Sequence, residues 1–126
     1  MALIATPQVG PRQVLKAFGS RRARSVEFAC LMLTHIVCFK YKADTSPATR
    51  EDHRARLRGL HGIDGVASLT VGADVVHSPR SYDTALVVVF RDRAALDAYQ
   101  TNPQHVPVAQ FGVSLSEHIV AVDYTT

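Results

Sequence analysis

The run Ala85-Leu-Val-Val-Val-Phe90 constrains this chain more than any other stretch. Successive side chains of a strand point to opposite faces, so an antiparallel sheet with one wet face alternates apolar and polar residues. The segment Tyr82–Arg91 instead carries Val, Leu and Phe on both faces, and the closing segment Glu117–Tyr124 does the same through Ile119-Val-Ala-Val122. A sheet built from these strands must be covered on both sides.

The other elements say how much cover the chain itself can supply. Thr34-His-Ile-Val-Cys-Phe-Lys-Tyr-Lys42 reads as a strand with His35, Val37, Phe39 and Tyr41 on one face. Asp44-Thr-Ser-Pro47 predicts a helix start, with Ser46 as N-cap and Pro47 in the first turn. That helix is expected to run to about Leu60 with a thin inward line of His53, Leu57 and Leu60, and the glycines of His61-Gly-Ile-Asp-Gly65 suit its end. A second strand is expected over 67–76, bent or bulged at Gly72. Asp92 caps a second helix, Arg93–Gln100, and a short irregular or helical piece, His105–Leu115, precedes the last strand. The order β-α-β-β-α-β is the ferredoxin-like α+β plan, with a four-stranded antiparallel sheet. Two helices cover one face of such a sheet. The simplest cover for the other is the same face of a second copy, which predicts a homodimer through the sheet faces with a barrel-like core.

Charge divides the chain at the start of this pattern. Residues 1–31 hold Arg12, Lys16, Arg21, Arg22 and Arg24 against Glu27 alone, so five of the 14 basic and one of the 11 acidic residues lie there. Residues 32–126 are then close to neutral, with nine against ten, and a nucleic-acid interface on the folded domain is not expected. An Arg-rich, acid-poor start resembles a transit peptide. The reading favoured here is a basic, weakly structured extension with Met32 as the natural first residue, because a complete domain pattern begins right after it. The apolar runs are too short to cross a bilayer. Cys30 and Cys38 make neither a disulfide framework nor a metal motif, so reduced thiols and a cytoplasmic setting are expected.

Candidate chemistry gathers at Tyr99-Gln-Thr-Asn-Pro-Gln-His105-Val106, where a proline turn can aim a phenol and an imidazole into one space. His105 has the chemistry of a general base for a proton next to a carbonyl, and Tyr99 that of a hydrogen-bond donor to the oxyanion. The same residues also suit a structural corner, with His105 bonding backbone and Tyr99 in the core. An apolar pocket between sheet and helices would have His35, Val37, Phe39, Thr84, Leu86, Val88, Ile119 and Ala121 as its floor. His53 and Val108 would face it from the helices. The six histidines form no recognisable metal-ligand pair, and no phosphate-cradling glycine loop or nucleophile elbow is present. No cofactor and no metal are expected.

From Met32 to Tyr124 the chain resembles the stress-responsive α/β-barrel (Dabb) family. The resemblance rests on His35-Ile-Val-Cys-Phe-Lys-Tyr-Lys42, Gly65-Val-Ala-Ser-Leu-Thr-Val-Gly72, Tyr82-Asp-Thr-Ala-Leu-Val-Val-Val-Phe90, Leu96-Asp-Ala-Tyr-Gln-Thr-Asn-Pro-Gln-His-Val106 and Val122-Asp-Tyr124. It implies ferredoxin-like homodimers with a barrel between the sheets. The family includes plant polyketide cyclases whose tyrosine and histidine flank a hydrophobic pocket and drive an aldol-type ring closure. These fall on Tyr99 and His105, and the first-strand pocket histidine falls on His35. A further pocket histidine, on the third strand, is replaced by Thr84, and His53 and Val108 stand where the cyclases use bulky aromatics. The family also includes stress-stable plant proteins with no clear catalysis. Two readings follow: a small-molecule-binding homodimer with cyclase- or lyase-like acid–base chemistry, or a non-catalytic structural or oligomerisation protein.

Overall fold

The computed structural model describes residues 31–126, and the expectations for residues 1–30 lie outside them. The elements are β1 (Leu33–Tyr41), α1 (Pro47–Arg58) continued by a 3₁₀ turn (Gly59–Gly62), β2 (Val66–Ala73), β3 (Thr84–Phe90), α2 (Arg93–Gln100), α3 (His105–Leu115) and β4 (Ser116–Thr125). The strands form one antiparallel sheet in the order β2-β3-β1-β4, which is the ferredoxin-like arrangement.

The alternation in β1 determines which face the core uses. Leu33, His35, Val37, Phe39 and Tyr41 are buried. In the register, His35 lies opposite Val88, Val37 opposite Leu86 and Phe39 opposite Thr84, so the buried residues of β3 continue the same surface. Leu57, Leu60, Ile63, Ala95, Leu96 and Tyr99 complete the core. Phe90 and Val88 are wholly inaccessible, and burial of a side chain of that size contributes about 2 kcal/mol.

Local chemistry sets the helix starts. The Ser46 side chain accepts from the Thr49 amide at 3.1 Å, with Pro47 in the first turn, and Asp92 accepts from the Ala95 amide at 2.9 Å. The third piece, His105–Leu115, is a full helix that buries only Gly112.

Three expectations change. The helix after Ser46 ends at Arg58 and tightens into a 3₁₀ turn that buries Leu60, and neither Gly59 nor Gly62 takes the left-handed conformation. Gly65 does, at φ 94°, where β2 passes so close to α2 that a Cβ would meet that of Ala95 at 2.7 Å. β2 stops at Ala73. Its irregularity falls between Val66 and Ser68, while Gly72 pairs regularly with Ala85.

Among the described residues no helix lies on the opposite face of the sheet. Ile36 and Cys38 of β1 and Val87 and Val89 of β3 are half-buried there, and Val120, Val122 and Tyr124 of β4 are 44–54% exposed. Among the described residues, the apolar surface anticipated from the two-faced strands is therefore present and uncovered.

Candidate functional site

The buried face of β1 carries polar side chains near both ends with an apolar middle. Near the start of the strand, His35 is 6% exposed, and its Nδ1–H donates to the Asp123 carboxylate on β4, the residue directly opposite it in the register. This bond puts the proton of a neutral ring on Nδ1 and leaves Nε2 as an acceptor. The His35 ring meets Tyr99 edge-on at a centroid distance of 6.3 Å, and Tyr99 also packs on Phe90 at 4.9 Å.

Tyr99 and His105 lie face to face, 4.1 Å between centroids at 36°. The turn between them explains why. α2 ends at Gln100, the Asn102 side chain accepts from the Gln104 amide, and the Asn102 carbonyl accepts from the His105 and Val106 amides, so α3 starts at once in a new direction. The Tyr99 hydroxyl and His105 Nδ1 are both buried, and neither has a hydrogen-bond partner among the described residues. Burial pushes the Tyr99 phenol up to about 12, so it stays protonated and keeps an O–H to donate at ordinary pH. Burial, opposed by the Gln100 backbone, holds His105 below the usual histidine range, so the ring is neutral and one of its nitrogens can accept.

At the far end of β1 a second polar group gathers. The Tyr41 hydroxyl lies 2.7 Å from His53 Nδ1 and 2.9 Å from Thr84 Oγ1, and Arg54 Nη1 donates to Thr84 Oγ1 at 2.9 Å. His53 is wholly inaccessible and is caged edge-on by Phe39 (4.8 Å) and Phe111 (5.9 Å). Burial, reinforced by Arg54 and Arg56, lowers its pKa to about 4.

The residues singled out in the sequence thus fall into groups. His35, Tyr99 and His105 come together. His53, Thr84 and Phe39 come together at the other end, and Val37 and Leu86 pair between the two groups. Val108 is partly buried against the core from α3, and Ile119 on edge strand β4 is 37% exposed. Sequence reasoning missed Asp123 and Tyr41 as functional partners. The available signal was face parity, since Asp123 shares its strand face with Ile119 and Ala121, and Tyr41 shares its with His35.

A groove of about 540 Å³ opens between α2 and β4 beside the first group. Leu33 and Leu96 line it together with Asp97, Gln100 and Asp123. Asp123, 40% exposed at its side chain, therefore faces the groove and holds buried His35. Among the described residues no cluster of His, Cys, Asp or Glu could hold a metal ion, and no helix is long and apolar enough to cross a membrane.

Comparison with solved structures places this arrangement among ferredoxin-like proteins. The chain is similar to a dimeric ferredoxin-like protein of unknown function from Thermobifida fusca, at 24% identity and TM-score 0.71, over 76% of this chain and 92% of that one. It is similar to a hydroxynitrile lyase from Passiflora edulis, at 22% identity and TM-score 0.68, over 75% and 93%. A Dabb family protein from Mesorhizobium loti aligns at 26% identity and TM-score 0.64, over 75% and 95%. No curated protein matches the sequence. The family model of the stress responsive A/B barrel domain matches residues 33–126, the whole of the sheet and its helices, and the chain belongs to that family, Dabb.

Proposed function

We propose that the protein is a homodimer that binds a small organic molecule beside Tyr99 and His105 and acts on it by acid–base chemistry of the cyclase or lyase kind. The observation that carries this reading is the pair of orphaned atoms. Buried polar groups are nearly always hydrogen-bonded, and leaving one unpaired costs about 1–3 kcal/mol. Here a buried donor, the Tyr99 hydroxyl, and a buried nitrogen, His105 Nδ1, lie on stacked rings with no partner. A ligand hydroxyl, accepting from Tyr99 and donating to His105 Nδ1, satisfies both.

The chemistry follows from the charge states. Neutral His105 takes a proton from a carbon next to a carbonyl or from a hydroxyl, and Tyr99 donates to the oxygen on which negative charge builds. Asp123 holds the His35 ring in a fixed orientation edge-on to Tyr99. The groove between α2 and β4 is the approach. The open outer face of the sheet, with Ile36, Val87, Val89, Val120 and Val122, is the dimer surface, in keeping with the dimeric proteins that share this fold. The site faces away from it, so binding and assembly separate experimentally.

One observation favours a second reading, a non-catalytic stress-responsive dimer. Tyr99, Phe90, His53 and Thr84 are almost wholly inaccessible, and an interior this full suits stability. Isothermal titration with para-substituted phenols and aryl ketones against the protein and its Tyr99→Phe and His105→Ala variants decides between them. Binding that is lost in both variants while the dimer persists supports the first reading. Absence of binding by the unaltered protein leaves the second. Because His105 is held below the ordinary histidine range, binding through its free nitrogen should persist as pH falls through 6.5 and weaken only further down.

A further inference from the structure

As folded, the Tyr99 site is shut. Tyr99 is wholly inaccessible and His105 lies against it at 4.1 Å, so something must move before a ligand meets the Tyr99 hydroxyl. The groove between α2 and β4 is lined by Gln100, the next residue in the chain, but not by Tyr99 itself. The helix least tied down there is α3. Its sequence, His105-Val-Pro-Val-Ala-Gln-Phe-Gly-Val-Ser-Leu115, has no Asp, Glu, Lys or Arg and so no opposite charges paired along it. No side chain caps its start, Val106, Val108 and Val113 are β-branched, and Gly112 is a poor helix former. By contrast α1 has the Ser46 cap and the Glu51–Arg54 and Asp52–Arg56 pairs.

The two halves of α3 are held differently. At its end the Leu115 carbonyl accepts from the Lys42 amide at 2.8 Å and the Thr45 hydroxyl at 3.2 Å, and the Lys42 ammonium donates to the Ser114 carbonyl at 3.1 Å. Phe111 lies under the Arg56 guanidinium at 4.1 Å and edge-on to His53, and Gly112 rests on the same His53 ring. Among the described residues, His105–Gln110 receives only the hydrogen bonds of the helix itself and of the turn that begins at Gln100. We propose that His105–Gln110 is a flap hinged at Phe111–Gly112, and that its opening exposes the Tyr99 hydroxyl to ligand. This rests on the reading of Tyr99 and His105 as the binding site. Gly112 suits the hinge because a residue without Cβ absorbs backbone change, and because a Cβ there would come within 2.8 Å of His53 Nε2. His105 rides on the flap, so it leaves Tyr99 on opening and returns over the ligand on closing. A ligand hydroxyl bonded to both residues then holds the flap shut.

Hydrogen exchange of the full chain, read by mass spectrometry at several low urea concentrations, tests the flap without any ligand. Corrected for intrinsic rates, the amides of α3 are expected to exchange at least about tenfold faster than those of α1. Their rates should barely respond to urea, because a local opening exposes little surface. Arg56→Ala removes a half-exposed guanidinium from Phe111 and should speed α3 exchange about threefold while β1 and β3 keep their rates. Saturating para-cresol should slow α3 exchange in the unaltered chain and not in Tyr99→Phe. If α3 exchanges only together with β1 and β3, in one urea-dependent opening, the flap is overturned, even where calorimetry shows para-cresol bound at Tyr99. If α3 opens locally but para-cresol neither binds nor slows its exchange, the Tyr99 reading falls and the flap's role as its gate falls with it.

Discussion

Two tyrosines sit on one core, and removing the same oxygen atom from each should have opposite effects. The Tyr99 hydroxyl is buried and has no partner, so the folded protein bears its desolvation without return. That cost is about 1–3 kcal/mol, and after the lost contacts of one oxygen, Tyr99→Phe should stabilise the protein by about 1 kcal/mol. The Tyr41 hydroxyl bridges His53 Nδ1 at 2.7 Å and Thr84 Oγ1 at 2.9 Å. Tyr41→Phe breaks both bonds, strands His53 Nδ1 in the core and should cost about 2 kcal/mol. Urea unfolding followed by far-ultraviolet circular dichroism measures both, the chain having no tryptophan to report by fluorescence. With a slope of about 1.5 kcal/mol per molar, the Tyr99→Phe midpoint should rise by about 0.7 M and the Tyr41→Phe midpoint fall by about 1.3 M. The variants must be compared at one protomer concentration, since assembly shifts the midpoint. If Tyr99→Phe loses as much stability as Tyr41→Phe, the Tyr99 hydroxyl is satisfied in the resting protein and the argument that it awaits a ligand fails.

Other consequences can be measured as directly. Gly112→Ala places a Cβ 2.8 Å from His53 Nε2 and 3.2 Å from Phe39, so the melting temperature should drop by an amount worth about 1–3 kcal/mol despite alanine's better helix propensity, and an unchanged melt would contradict the close approach of α3. His53 has a folded pKa of about 4 against 6.5 in the free residue, so its contribution is fully present above pH 6.5 and is lost as pH falls through 4, about 3 kcal/mol in all; His53→Phe should flatten the stability profile across that window, and a profile as steep as before would rule His53 out as the cause. Val122→Lys puts a charge on the open sheet face, and light scattering should then report a monomer; a monomeric unaltered protein at micromolar concentration would remove the dimer altogether.

What the sequence made legible was what short-range chemistry decides. The alternation from Leu33 to Tyr41 identified the buried face of β1, and Ser46-Pro47 and Asp92 marked two helix starts because capping needs only residues three positions apart. What it hid depends on register. The irregularity in β2 comes from how Val66 and Ser68 meet β3, and nothing local to Gly72 says that it pairs regularly. Gly59 and Gly65 look alike in sequence, but only Gly65 is pressed against Ala95 and forced to positive φ. In the site, Tyr99 and His105 are joined by a short turn and could be read together. The grip of Asp123 on His35 spans 88 positions, and that of Tyr41 on Thr84 spans 43, so each appears only once the strands are laid side by side.

The distribution of unpaired atoms makes the strongest case that this interior is built for more than stability. Four buried side-chain atoms lack partners among the described residues, and they are not scattered. Tyr99 and His105 lie at one end of the core and His53 and Ser116 at the other, with Val37, Leu86 and Val88 buried between them. Random imperfection would fall anywhere, and an apolar replacement at each position would relieve it, since phenylalanine fits where Tyr99 stands and alanine where Ser116 stands. A protein selected only to endure stress would gain from those changes at no cost. Keeping the Tyr99 hydroxyl and the His105 nitrogen unsatisfied on adjoining rings fits the small-molecule site proposed there better than a core kept only for stability.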